Sequence, residues 1–180
     1  ALDLSVSLYN DEMIRSALLS IVEGRYRVIL EEGDAMAGIP GDEWYIILRE
    51  DSLYARDPQG NWQHVNSMDM LPLEEGSVFS IKPAYPVLDA REYHGALRVG
   101  IGMESLQLLN SIDLESYIMG VVETEAGPSC PLEYYKVQAI LCRTFALRNL
   151  ERHLGEGFNL CDGVHCQSYL GRHVWNEDVE

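Results

Sequence analysis

The chain has 180 residues, with 13 Lys+Arg against 29 Asp+Glu for a formal net charge of −16, and it is 47% hydrophobic and 23% charged. That length suits one domain or one and a half, and the apolar fraction is enough to bury a core, which excludes a disordered chain. The acidic balance excludes the basic footprint of a nucleic-acid binder and argues against docking on anionic lipid head groups. No apolar run approaches the roughly 18 residues of a membrane span; Leu18-Leu19-Ser20-Ile21-Val22 is about the limit. The opening Ala1-Leu2-Asp3-Leu4 has neither a basic region nor an apolar stretch. It leaves open a cytoplasmic protein and a chain beginning at a mature or trimmed end.

The predicted elements begin as strands. Leu4, Val6 and Leu8 alternate with Ser5, Ser7 and Tyr9, the period of a half-buried strand. Tyr26 to Leu30 follows the turn signal Glu23-Gly24, and Trp44 to Leu48 follows Pro40-Gly41. Ser52 to Ala55 comes next, then the turn Asp57-Pro58-Gln59-Gly60 and Trp62 to Val65. Val78 to Ile81, Gly95 to Val99 and Leu106 to Leu109 complete the set. Short strands at this spacing suggest a small barrel or sandwich.

From Asp113 the texture changes to helix. Asp113 is the expected N-cap of a segment whose Leu114, Tyr117, Ile118, Val121 and Val122 recur at three and four. Ala126-Gly127-Pro128 interrupts it, and Pro131 opens a longer helix expected to reach about His153. Leu132, Ala139, Ile140, Leu147 and Leu150 form the stripe expected to face the core, with Lys136 and Arg143 beside it. Two cations there need partners, or must extend their heads to solvent. Residues 158–180 read as irregular. The fold class is therefore α+β, a β-rich N-terminal portion followed by a helical segment with a Cys/His loop.

The four cysteines are sparse, which excludes a disulfide-scaffold miniprotein. Cys161, His165 and Cys166 cluster within one loop, and His153 is a fourth candidate ligand from the end of the preceding helix. The set suits tetrahedral zinc; a Cys161–Cys166 disulfide and free thiols are the alternatives. Cys130 and Cys142 lie too far apart along one helix to bridge.

Three motifs carry a family resemblance. Ile112-Asp113-Leu114-Glu115-Ser116-Tyr117-Ile118-Met119-Gly120-Val121-Val122-Glu123-Thr124-Glu125 resembles the opening of the SpoIID/LytB domain family. Pro131 to Leu147 continues it, on the pattern PxEALKAQAVAARTYAL, and Gly157 to Gly171 is similar to GFDLCDxxHCQxYxG. Tyr93 to Val99 looks like the strand that enters the domain. The resemblance divides the chain into a β-rich region, 1–92, and a SpoIID-like catalytic region, 93–180, that is expected to be truncated at its C-terminal end.

The resemblance implies a cell-wall enzyme: a lytic transglycosylase cutting peptidoglycan glycan strands between N-acetylmuramic acid and N-acetylglucosamine. The family's catalytic acid falls on Glu125, with Glu123 as the fallback. Such an enzyme works with one carboxyl group, because the muramic acid 6-hydroxyl replaces water as the nucleophile. A pocket beside the Gly-Pro break is expected to keep that acid protonated. Lys136, Gln138, Arg143 and Thr144 match family positions at the substrate groove; for Gln138 and Thr144 helix packing is the structural alternative. Lys136 and Arg143 are expected to be offset from Glu125. Two departures stand out: Ala126-Gly127-Pro128 replaces the family's Met-Pro, and Cys142, expected to be a small buried residue, replaces alanine. The implied cofactor is structural zinc, bound by His153, Cys161, His165 and Cys166. The implied partners are peptidoglycan and cell-wall remodelling proteins, in an extracytoplasmic location. A non-catalytic peptidoglycan-binding or wall-complex assembly module on the same scaffold is the alternative.

Overall fold

Alternating side chains account for the strands. In β2 (Ser16–Glu23) Ala17, Leu19 and Ile21 are buried, and in β5 (Glu43–Arg49) Trp44, Ile46 and Leu48 are buried, while their neighbours face outward. The structure is a computed structural model that describes residues 2–31 and 34–172. The segment 173–180, the end of the expected catalytic region, lies outside the described residues. The other strands are β1 (Asp3–Ser7), β3 (Tyr26–Glu31), β4 (Asp34–Gly38), β6 (Ser52–Arg56), β7 (Trp62–Val65), β8 (Met68–Pro72), β9 (Val78–Tyr85), β10 (Arg91–His94), β11 (Ala96–Ile101), β12 (Leu106–Asp113) and β13 (Leu160–Cys161). Two helices follow β12: α1 (Leu114–Ala126) and α2 (Leu132–Arg148). The α+β class holds.

The strands form two sheets. One runs β13-β1-β12-β11-β8-β3-β4 and the other β10-β9-β2-β5-β6-β7. Their inner faces share one core, with Val28, Met70 and Val99 from the first sheet and Leu19, Trp44, Ile46 and Phe79 from the second. Strands on both sides of residue 92 share these sheets, since β12 pairs with β1 and β11 pairs with β8.

Short polar contacts tie the C-terminal loop to this body. β13 lies parallel to β1, and Asn159 reinforces the pairing by accepting from Ser5 N at 2.8 Å. The buried Asp162 accepts from Tyr9 N (2.6 Å), Asn10 N (3.0 Å) and Arg91 (3.1 Å). Burial pushes its carboxyl above the usual range, while the two amides and Arg91 pull the other way. Asp162→Asn keeps the shape but leaves Arg91 without its acid. It is expected to cost about 2 kcal/mol, read as a lower urea midpoint. An unchanged midpoint would show that the anchor contributes nothing.

The helices follow local signals. Asp113 caps α1 as expected, accepting from Ser116 N at 3.0 Å, and Leu114, Tyr117, Ile118, Val121 and Val122 are buried. Gly127, with φ of 70°, ends the helix. Tyr135 OH donates to Gly127 O at 2.9 Å and accepts from Cys130 N at 3.0 Å, pinning the connection to α2. Gly120 lies against Gly171 O and the Tyr169 ring, and a Cβ there would come within 2.8 Å of Tyr169 Cε2. Gly120→Ala is expected to destabilise by about 2 kcal/mol through overpacking, checked by denaturant titration.

The stripe expected to face the core on α2 is corrected. Leu132, Ile140 and Leu147 are 47%, 60% and 44% exposed, and Tyr135, Cys142 and Ala146 are the buried residues of that helix. The helix carries apolar residues on both sides, so its periodicity fits two faces equally well. It also ends at Arg148, leaving Leu150 and His153 in the turns beyond. Among the described residues no helix is long and apolar enough to cross a membrane.

Candidate active site

Glu125 occupies the last turn of α1, where three elements meet. Its Oε2 accepts from Gln138 Nε2 at 3.0 Å, and its Oε1 accepts from Ser168 N at 3.2 Å. The Cys142 thiol lies 3.7 Å from Oε2 and 3.6 Å from Gln138 Nε2. Gln138 and Cys142 are four apart on α2, so both reach the same side of α1. Burial pushes the Cys142 thiol up to about 12, and the adjacent Glu125 charge adds to the effect. It therefore stays a neutral S–H that can donate to the carboxylate, in keeping with an inert buried residue.

The expected apolar niche is not what surrounds Glu125. The residue is exposed, and the contacts that fix it are polar. The carboxyl is therefore oriented by amide donors while one side remains open to solvent. Glu123 sits elsewhere: it is 3% exposed and lines a cavity of about 710 Å³ together with Arg91, Glu92, Thr124 and Arg172. Two residues apart on a helix, the acids point to opposite sides, and Glu125 does not line that cavity.

Of the four residues assigned to the groove, Gln138 alone is in hydrogen-bond contact with Glu125 among the described residues. Lys136 pairs with Glu133 at 2.8 Å, and Arg143 pairs with Glu115 on α1. Both cations are thus offset from Glu125, as expected. Thr144 Oγ1 donates to Ile140 O at 2.7 Å, an internal helix bond. Sequence reasoning missed the Ser168 amide and the buried Gln167. Gln167 Nε2 donates to Cys142 O at 3.3 Å, and its Oε1 accepts from Tyr117 OH at 3.4 Å. The signal was their place inside the HCQxYxG motif. Tyr169 OH, in the same segment, donates to the buried Asn110 at 3.3 Å.

Just before this segment lies the Cys/His cluster. One ligand atom each from His153, Cys161, His165 and Cys166 lie within 4.8 Å of one another, three of the residues being buried and His165 exposed. Cys166 Sγ is 3.4 Å from His153 Nε2, and Cys161 Sγ is 3.9 Å from His165 Nδ1. Tetrahedral zinc with thiolate and imidazole ligands places neighbouring donors roughly 3.3–3.8 Å apart, so the set fits with small adjustments. His153 Nδ1 donates to Glu156 at 2.6 Å, which turns Nε2 toward the cluster. No disulfide joins Cys161 and Cys166. His153, the ligand with the least regular spacing in sequence, is brought in by the turn after α2.

The chain is 29% identical over 108 residues to an uncharacterized protein of Brachyspira hyodysenteriae, a match covering 59% of this chain and 29% of that protein. The chain thus spans less than a third of the length of the curated relative it matches. No solved structure matches. Residues 103–180, which contain Glu125, Gln138 and the Cys/His cluster, match the SpoIID family model, described as stage II sporulation protein, the family that the motifs of this sequence resemble.

Proposed function

We propose that this protein is a peptidoglycan lytic transglycosylase in which Glu125 is the single general acid and base. A SpoIID match suggests a function related to sporulation or the cell wall, and the family is associated with cell-wall lytic activity. The observation that carries the finer reading is the fixed yet open carboxyl. Glu125 is oriented by Gln138 and the Ser168 amide, and its remaining edge is accessible to a polymer.

The proposed step balances without water. The cycle starts from the protonated form of Glu125, which gives its proton to the N-acetylglucosamine oxygen as the bond from that oxygen to muramic acid C1 breaks. The muramic acid 6-hydroxyl attacks C1, forming the 1,6-anhydro ring, and returns its proton to Glu125. Gln138 and the Ser168 amide hold the carboxyl in place for both transfers. A bound strand covers the open edge and excludes water as the proton moves. The setting is extracytoplasmic, where peptidoglycan lies, and wall-remodelling proteins are the proposed partners.

Zinc is the proposed ion for His153, Cys161, His165 and Cys166, and when bound it supplies a structural cross-link between the turn after α2 and the loop. Protein purified without added metal is expected to hold one zinc per chain, with Cys161 and Cys166 slow to react with a thiol reagent until chelation. Metal-free protein with reactive thiols, or a Cys161–Cys166 disulfide, would contradict the assignment.

The exposure of Glu125 favours a second reading, a glycan-binding module without catalysis. Release of soluble fragments from denuded glycan strands separates the two. The enzyme releases them; a binding module retains intact strands and releases nothing.

A further inference from the structure

The sheet that ends in β7 carries an unusual outer face. Alternation buries Trp44, Ile46, Leu53, Ala55 and Val65 and turns their neighbours to solvent. On that outer side Tyr45, Tyr54, Trp62 and His64 set four aromatic rings among Glu43, Ile47, Ser52 and Arg56. Register places Tyr45 opposite Arg56 and Arg56 opposite Trp62, in one row across three strands. The next row carries Tyr54 opposite His64. Tyr45 and Trp62 meet edge to face at 6.0 Å, and Tyr54 and His64 do so at 5.5 Å. The Arg56 guanidinium carbon lies 5.8 Å from the ring centres of both Tyr45 and Trp62. Trp62 is 49% exposed, and Arg56 forms no salt bridge among the described residues of a chain with net charge −16.

We propose that this face is a second glycan-binding surface, on which Trp62 and Tyr45 stack against pyranose rings and Arg56 receives a carboxylate of the strand. The choice of occupant rests on the glycan reading above; the surface itself does not depend on Glu125. A flat face suits an extended polymer better than a small molecule, which needs a concave site. Pyranose rings present apolar C–H faces that match exposed ring faces. Nucleobases also stack, but a single guanidinium on a strongly acidic chain does not match a phosphate at every residue. It does match the isolated lactyl carboxylates of muramic acid. Arg56 is held between the rings and forms no direct ion pair, while Asp42, Glu43 and Asp57 line the concavity beside it, so an incoming carboxylate approaches from the ring side.

The face lies away from the candidate active site. The C-terminal loop docks on β10, where Arg172 pairs with Glu92 at 2.8 Å. β10 and β7 are opposite edges of the six-stranded sheet. From β10 to β6 there are four strand spacings, about 19 Å. A strand several sugars long would have to reach both places, and a second contact raises its effective concentration at the first.

The test is co-sedimentation with long denuded glycan strands on the Glu125→Gln background, which leaves the strands uncut, with and without Arg56→Gln or Trp62→Ala. Retention is expected for Glu125→Gln alone, and a loss of roughly tenfold in apparent affinity when either face substitution is added. Should Trp62→Ala melt the β6–β7 edge, Trp62→Leu fills the space without a ring face, and its loss of binding carries the same meaning. Equal retention of the folded face variants overturns the proposal, as does failure of Glu125→Gln itself to sediment with the strands. Fragment release is scored separately with wild type, so retention in the first assay with no release in the second removes the catalytic reading and leaves this one standing.

Discussion

Glu125→Gln is expected to lower glycan cleavage by about 10³-fold while leaving the fold in place. The amide cannot donate an acidic proton or take one back, which removes both halves of the proposed cycle. Structurally the change is mild. Oε1 can still accept from the Ser168 amide, and the residue is exposed, so the urea midpoint should move little. Gln138 can flip its amide so that its oxygen accepts from the new Nε2. Glu123→Gln is the matched control. Glu123 is buried on the other side of α1, so that variant is expected to lose stability and keep turnover per folded molecule. Steady-state release from denuded strands, normalised to folded protein, checks both. Retained turnover in the Glu125 variant, or its loss in the Glu123 variant alone, would move the acid to position 123.

Cys161→Ser is expected to abolish zinc binding, lower stability by about 3 kcal/mol and reduce cleavage about tenfold or more. The reason is a chain of contacts. Cys166 is two residues from Ser168, whose amide holds Glu125 Oε1 at 3.2 Å. Between them the buried Gln167 bonds Cys142 O and Tyr117 OH. Loosening the cluster therefore loosens one of the donors that orient Glu125, without touching the two-sheet core. Cys130→Ser, at a half-buried cysteine outside the cluster, should change neither metal content nor turnover. Metal analysis and denaturant titration of both variants decide the matter. A zinc-free Cys161→Ser protein with wild-type turnover would show that the cluster does not support the site.

Much of this was legible in the residues because local physics and tertiary context agreed. Asp113 read as a cap and is one, and the 3–4 recurrence from Leu114 to Val122 is the buried face of α1. Period-2 alternation marked β1, the aromatic and β-branched run after Pro40-Gly41 marked β5, and β6 read as a short strand before the Asp57-Gly60 turn. None of these signals marked β2, whose Leu18, Leu19, Ile21 and Val22 mix both faces into one apolar run, nor β4, β8 and β10, which are short and carry few β-branched residues. The α2 face was misread because helical periodicity cannot choose between two apolar sides, and partners from α1 decide it. At the site, residue types were legible and distances were not. Lys136, Arg143 and Thr144 sit in a matching motif, yet their side chains bond to Glu133, Glu115 and Ile140 O. The donors that do reach Glu125 include a backbone amide at Ser168, and an amide has no signature in a sequence. His153 joined the cluster through the turn after α2, which shortens a gap that sequence spacing makes look long.

The most direct measurement is the mass of the product ends when denuded glycan strands are cleaved in ¹⁸O-labelled water. The expected products are fragments ending in 1,6-anhydro-muramic acid with no label, absent with Glu125→Gln. Reducing ends that carry the label would make water the nucleophile and contradict the single-carboxyl mechanism.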